Sequence, residues 1–171
     1  MDFTFEPLAE ADLPRLHEWL NRPHLIEHWG PPPSLAAVRD KYLPRTTASS
    51  SDRPYVAYLG DRPVGYVQSY VAVETADGWW TGQHDPTVLG VDLFLADPND
   101  LDRGLGTAMV CQFVRFLFDT PSVSRIQVDP SPENGRAIRC YEKAGFKHEG
   151  PISTPDGAAV LMVIERDRSQ A

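Results

Sequence analysis

Two features of this chain are suited to chemistry by residue type and spacing. Asp102-Arg-Gly-Leu-Gly-Thr107 opens an apolar, helix-period run over residues 108–118 and follows the β-like segment Gly90-Val-Asp-Leu-Phe-Leu-Ala96. A strand, a glycine loop and a helix in that order form an anion cradle: two glycines let successive backbone N–H groups turn toward one point, and the helix start adds about half an elementary positive charge there. The plain alternative for a lone Gly-x-Gly is a tight connection. The second feature is Asp92, a carboxylate inside an otherwise apolar strand. Such a group is costly unless it is paired, functional or turned to solvent on the two-residue alternation.

The elements that must position these groups follow from pattern and punctuation. Residues 3–6 read as a strand and residues 10–20 as a helix with Leu13, Leu16, Trp19 and Leu20 at helical spacing. Residues 21–33 read as a loop closed by three prolines, after which Ser34 caps a helix reaching about Tyr42. Residues 45–53 are Ser/Thr-rich and read as a mobile connection. Residues 54–59 and 63–73 form a hairpin around Gly60-Asp61, and residues 74–86 a polar excursion before the Asp92 strand. The glycine-loop helix runs to about Asp119, residues 125–128 are a strand, and the helix from Asn134 stops at Gly145. Strands from Phe146 and over residues 159–165 complete the chain. Helices alternating with strands after an antiparallel start define an α/β protein, and residues 1–171 read as a single domain.

Composition excludes several classes. A net charge of −8 and a pI near 5.0 argue against nucleic acid. Without a run of eighteen apolar residues or a basic, apolar leader, the expectation is a cytoplasmic protein with no membrane partner. Cys111 and Cys140 fall on expected helices and read as free thiols. The five histidines lack metal-ligand spacing, so no metal is expected. Charge is segregated: from Arg62 to Arg103 no Lys or Arg intervenes among seven carboxylates, and basic residues then gather around the glycine loop and the Asn134 helix.

The glycine loop together with Asn134-Gly-Arg-Ala-Ile-Arg-Cys-Tyr-Glu-Lys-Ala-Gly-Phe146 resembles the acetyl-coenzyme A signature of the GNAT N-acetyltransferase superfamily. Where that family usually carries Gln or Arg, three residues before the first glycine, this chain has Leu101. More closely, nearly the whole chain resembles the aminoglycoside 6′-N-acetyltransferases. The resemblance rests on Glu18-Trp-Leu-Asn-Arg22, His28-Trp-Gly30, Lys41-Tyr-Leu-Pro44, Gly65-Tyr-Val-Gln-Ser-Tyr-Val71, Asp77-Gly-Trp-Trp80, Asp129-Pro-Ser-Pro132 and Thr154-Pro-Asp-Gly157.

The resemblance implies a GNAT fold, a mixed central sheet splayed at the cofactor site with helices on both faces. It implies acetyl-coenzyme A held by Phe94, Leu95, Arg103, Gly104, Leu105, Gly106, Thr107 and Asn134, with Asp92 as base and Tyr141 as general acid. Phe94 and Leu95 would present N–H groups to the thioester carbonyl. Substrate contacts carried over are Trp29, Tyr42, Gln68, Thr75, Trp79, Asp92, Asp129 and Asp156. Carboxylates and flat rings suit a polycationic amino sugar, and the basic region suits polyanionic coenzyme A. Each residue keeps a plain reading: the tryptophans as core or loop anchors, Asp129 and Asp156 as turn residues. The expected activity is 6′-acetylation by direct attack in a ternary complex, giving antibiotic resistance, by a monomer or weak homodimer. A siderophore-type lysine N-acyltransferase and a non-catalytic drug- or coenzyme-binding module stay open as alternatives.

Overall fold

The computed structural model describes residues 1–76 and 78–167. Its strands are β1 (Phe3–Pro7), β2 (Arg53–Leu59), β3 (Arg62–Val71), β4 (Val88–Leu95), β5 (Arg125–Val128), β6 (Lys147–Thr154) and β7 (Gly157–Glu165). They form one open sheet in the order β1-β2-β3-β4-β5-β7-β6. The sheet is mixed, since β4 and β5 pair parallel while β1 with β2, β5 with β7 and β6 with β7 pair antiparallel. Two compact units share these strands, residues 1–68 with 93–103 and residues 69–92 with 104–171.

In the first unit, α1 (Leu13–Leu20) buries Leu13, Leu16, Trp19 and Leu20, the helical face read from the sequence. They pack with Leu25, Val38, Tyr42, Val56, Tyr66 and Phe94, and each buried aliphatic side chain contributes about 1.5–3 kcal/mol by leaving water. The helix expected from residue 10 begins as a separate 3-10 turn, Glu10–Asp12. Pro14, in the first turn of α1, needs no N–H there.

The loop expected over residues 21–33 is corrected: it contains α2 (Pro23–Trp29). Pro23 stands at the helix start behind an extended Arg22, and Gly30 ends the helix at φ +98°. Arg22 fixes the entry by donating from Nη1 to the Ala96 carbonyl at 2.7 Å while pairing with Glu18. α3 (Leu35–Tyr42) starts as expected, with Ser34 Oγ accepting from Ala37 N at 3.1 Å, a cap worth about 1 kcal/mol. β3 runs so close to β4 that a Cβ at Gly65 would overlap the Phe94 carbonyl.

In the second unit, α4 (Leu105–Phe118) begins three residues before the expected start and buries Leu105, Met109, Val110, Phe113, Val114 and Leu117. α5 (Gly135–Lys143) is capped by Asn134, whose Oδ1 accepts from Ala137 N at 3.1 Å. It stops at Gly145, φ +98°, with Phe146 N donating to the Tyr141 carbonyl at 3.0 Å. The end of α4 is tied down by Arg166, which donates to the carbonyls of Phe118 and Val123 at 2.7 Å each and lies over the Phe118 ring. Gly90 faces the Tyr70 ring so closely that a Cβ there would overlap it.

Candidate active site

β4 and β5 pair through Val88↔Arg125, Leu89↔Ile126 and Gly90↔Gln127; the pairing then ends while β4 continues to Leu95. Two residues beyond that last pair stand Asp92, on β4, and Asp129, just after β5. An equal offset from a common pair puts both carboxylates on the same side, at the point where two parallel strands part. Burial, and then the charges of Asp92 and Asp156, raise the Asp129 pKa to about 7. Asp156 itself is exposed in the β6–β7 turn, its N–H donating to Thr154 Oγ1. Asp92 and Asp156, the other two aspartates singled out in the sequence, therefore lie within electrostatic reach of Asp129.

Tyr141 is buried on α5, its ring tilted against Phe146 with centroids 5.4 Å apart. Burial lifts its pKa far above that of a free phenol, and Cys140, Asp92 and Asp129 add to the shift. The proton therefore stays on the oxygen throughout the neutral range. Tyr70 is lifted for the same first reason, with Asp92 and Asp129 adding, while Trp80 pulls against them. The Trp80 indole is buried at φ +48°, and its N–H completes no hydrogen bond at standard geometry. Tyr70 and Trp80 stand in segments that carry the resemblance but are not among the site residues it implies; the local signal for Tyr70 is Gly90, whose missing side chain makes room for its ring. Trp79 is half-buried against the cluster of Tyr70, Ala72, Trp80 and Val88, and Thr75 Oγ1 donates to the Ala72 carbonyl at 2.8 Å. Asp77, the first residue of the Asp-Gly-Trp-Trp motif, lies outside the described residues.

Gly104 is the N-cap of α4 at φ +80° and offers no side-chain cap, and Asp102 before it also has positive φ, +58°. Leu105, Gly106 and Thr107 are thus the first helical residues, and no acidic residue stands in that turn. Uncapped amides at the start of a fourteen-residue helix fit a phosphate group, which supplies the acceptor oxygens that a capping side chain would otherwise provide. Arg103 is exposed beside them. Thr107 Oγ1 is directed to Cys140 Sγ at 3.7 Å, joining α4 to α5, so its backbone rather than its hydroxyl is left to the anion. With Oδ1 of Asn134 committed to capping α5, its Nδ2 is the group suited to a ligand acceptor.

The first unit holds the remaining residues. Trp29 stands edge-on to Phe94 and Tyr66, at 4.8 and 6.2 Å between centroids. Tyr42 is 2% exposed and edge-on to Tyr66. Gln68 is buried, its Oε1 accepting from the Tyr66 hydroxyl at 2.6 Å and from Arg45 Nη1 at 2.8 Å. Phe94 and Leu95 bury their side chains, and the Leu95 carbonyl meets His24 Nε2 at 3.1 Å. Among the described residues no cluster of His, Cys, Asp or Glu is placed to hold a metal, and no helix is long and apolar enough to cross a membrane.

An open mixed sheet that parts between two parallel strands, with a glycine-started helix following the first, is the frame of an acyltransferase. The model of the acetyltransferase (GNAT) domain matches residues 9–154, and the chain belongs to that family. Aminoglycoside N(6′)-acetyltransferase type 1 of Klebsiella pneumoniae is 51% identical over 98% of this chain and 88% of its own length. The crystal structure of aminoglycoside acetyltransferase AAC(6′)-Ib in complex with coenzyme A and kanamycin superposes with a TM-score of 0.92 at 51% identity, covering 96% of this chain and 95% of that one. Lysine N-acyltransferase MbtK of Mycobacterium sp. (strain MCS) is 28% identical over 99% of this chain and 69% of its own length. Within the GNAT enzymes, the chain is a member of the aminoglycoside N(6′)-acetyltransferases.

Proposed function

We propose that this enzyme transfers acetyl from acetyl-coenzyme A to the 6′-amine of an aminoglycoside by direct attack in a ternary complex. It acts in the cytoplasm and confers antibiotic resistance. The observation that carries the reading is the pair Asp92 and Asp129 at the parting of β4 and β5, with the Asp156 charge bearing on Asp129. Three carboxylates, two of which act on the third, suit a substrate with several ammonium groups. They also favour the charged amine, which is not a nucleophile, so a base is needed; Asp92 takes that proton.

Bound acetyl-coenzyme A supplies the activated acyl thioester. The amides of Leu105, Gly106 and Thr107, with Arg103 beside them, hold its pyrophosphate; Asn134 Nδ2 donates to its arm; and the N–H groups of Phe94 and Leu95 face the thioester carbonyl. Tyr141 serves the departing sulfur. An alkyl thiol has a pKa near 8.5, roughly, well below that of the buried phenol, so full proton transfer is uphill. Tyr141 therefore acts by donating a strong hydrogen bond to the developing thiolate rather than by surrendering its proton outright. Trp29, Tyr42, Gln68, Thr75, Trp79 and Asp156 are the proposed walls for the drug.

A thiol-release assay across aminoglycosides, lysine and peptide amines tests the reading. Turnover is expected with 6′-amino aminoglycosides, and a 6′-hydroxyl compound should compete without being acetylated. Asp92→Asn should lower kcat by about a hundredfold at unchanged KM for acetyl-coenzyme A. Lysine as the preferred acceptor, or acetylation of the 6′-hydroxyl compound at another amine, would contradict it.

A further inference from the structure

Beside the proposed base stands a buried phenol. Tyr70 lies near the end of β3 and is 8% exposed. A Cβ built on Gly90 would overlap the outer edge of its ring and stand 2.6 Å from its hydroxyl oxygen. The hydroxyl therefore occupies the side-chain place of Gly90, and the two-residue alternation puts the Asp92 side chain on that same face, about 7 Å further along β4. After burial, the charge of Asp92 and then that of Asp129 act on this hydroxyl. We propose that Tyr70 is a positioning residue for the transfer: its hydroxyl donates toward Asp92 and sustains that carboxylate as the acceptor of the amine proton. The inference rests on Asp92 as the base.

The direction of the hydroxyl proton follows from its neighbours. An indole N–H only donates, whereas a phenol both donates and accepts. Burial raises the Tyr70 pKa most and Trp80 lowers it, the sense expected of an N–H turned to the phenol oxygen, although the contact stops short of standard hydrogen-bond geometry. With a lone pair turned to Trp80, the phenol has one proton to give, and the negative charges near it are Asp92 and Asp129. A donor aimed at a carboxylate favours its charged form, the form that takes a proton from an ammonium group. Around Asp92, Asp129 after β5 opposes that charge, and Asp156 in the β6–β7 turn bears on Asp129 in turn. Tyr141 on α5 is a second neutral hydroxyl near Asp92, but its proton is the one proposed for the departing sulfur. Tyr70 is then the hydroxyl left to offset Asp129.

The pH profile of kcat with a 6′-amino aminoglycoside tests this, because kcat reports the ionisation of groups in the enzyme–substrate complex. Tyr70→Phe keeps the ring against Gly90 and removes only the hydroxyl. It should carry the acidic limb of kcat upward by about half to one pH unit, so that kcat at pH 6 falls by about threefold to tenfold. On the alkaline plateau kcat should stay within about twofold of wild type, with KM for acetyl-coenzyme A unchanged. Trp80→Phe, which no longer directs the hydroxyl, should shift the limb the same way by less. The Tyr70→Phe shift should persist in an Asp129→Asn background; its loss there would show that the hydroxyl serves Asp129 and overturn the assignment to Asp92. A rate lowered by one factor at every pH is the mark of loosened packing and, like an unmoved limb, overturns the role of Tyr70 while leaving the base in place. An Asp92→Asn enzyme with the wild-type limb and rate overturns Asp92 as the base, and the role of Tyr70 with it.

Discussion

Asp129 keeps a proton at a pH where an ordinary aspartate has lost it, because burial and two neighbouring carboxylates oppose its ionisation. The consequence for stability has a definite sign. Between about pH 4 and 7 the folded chain retains this proton while the unfolded chain has released it, so Asp129 lowers stability as pH rises through that window and not beyond. Asp129→Asn should therefore melt higher than wild type at pH 8, with the gap closing toward pH 4. A gap independent of pH in thermal melts would mean that Asp129 ionises normally. If Asp129 meets an ammonium group of the drug, as proposed, that charge favours the ionised carboxylate, and drug affinity should rise as pH passes 7.

At the scale of the element, the start of α4 shows how conformation rather than space restricts a residue. A Cβ at Gly104 would meet nothing within 4 Å, yet φ is +80°. Asparagine tolerates that region, whereas a β-branched residue resists it by about 1–2 kcal/mol. Gly104→Asn should leave KM for acetyl-coenzyme A near wild type, and Gly104→Val should raise it by about tenfold. Equal effects of the two would show that room, not backbone shape, governs the position.

The element pattern also separates what was legible in the sequence from what was not. Apolar periodicity placed α1 and most of α4, and Ser34 and Gly145 marked helix ends, because these signals act within one turn of chain. α2 was read as loop because three prolines follow it; the proline at its start is the opposite signal and carried less weight. Asp92 stood out as a carboxylate in an apolar strand, but the Asp129 shift needs a partner 37 positions away, and Arg45 reaches Gln68 across 23. Nothing local in Arg-Thr-Thr-Ala-Ser-Ser-Ser announces a buried guanidinium.

Across the whole molecule, a net charge of −8 acts on the two substrates with opposite sign. The field attracts a polycationic drug and repels a polyanionic coenzyme until salt screens both, with a Debye length of about 8 Å at physiological ionic strength. Raising salt should increase KM for the aminoglycoside without a matching rise for acetyl-coenzyme A. A drug KM flat between low and high salt would reduce the acidic stretch to a solvated face.

The two outer strands of the sheet have a consequence for self-association. An unpaired strand edge is a template for another chain, and both edges here are blunted. β1 ends on Glu6-Pro7, while β6 carries Lys147, Glu149 and Pro151 with a register shift between His148 and Gly150. Proline offers no N–H to an incoming strand, a bulge spoils its register, and charges cannot be stacked without cost. High protein concentration is where edge-to-edge pairing becomes aggregation. Replacing Pro7 and Pro151 with valine should leave turnover intact yet bring on light scattering at protein concentrations where the wild-type solution stays clear; equal clarity would show that these edges need no such guard.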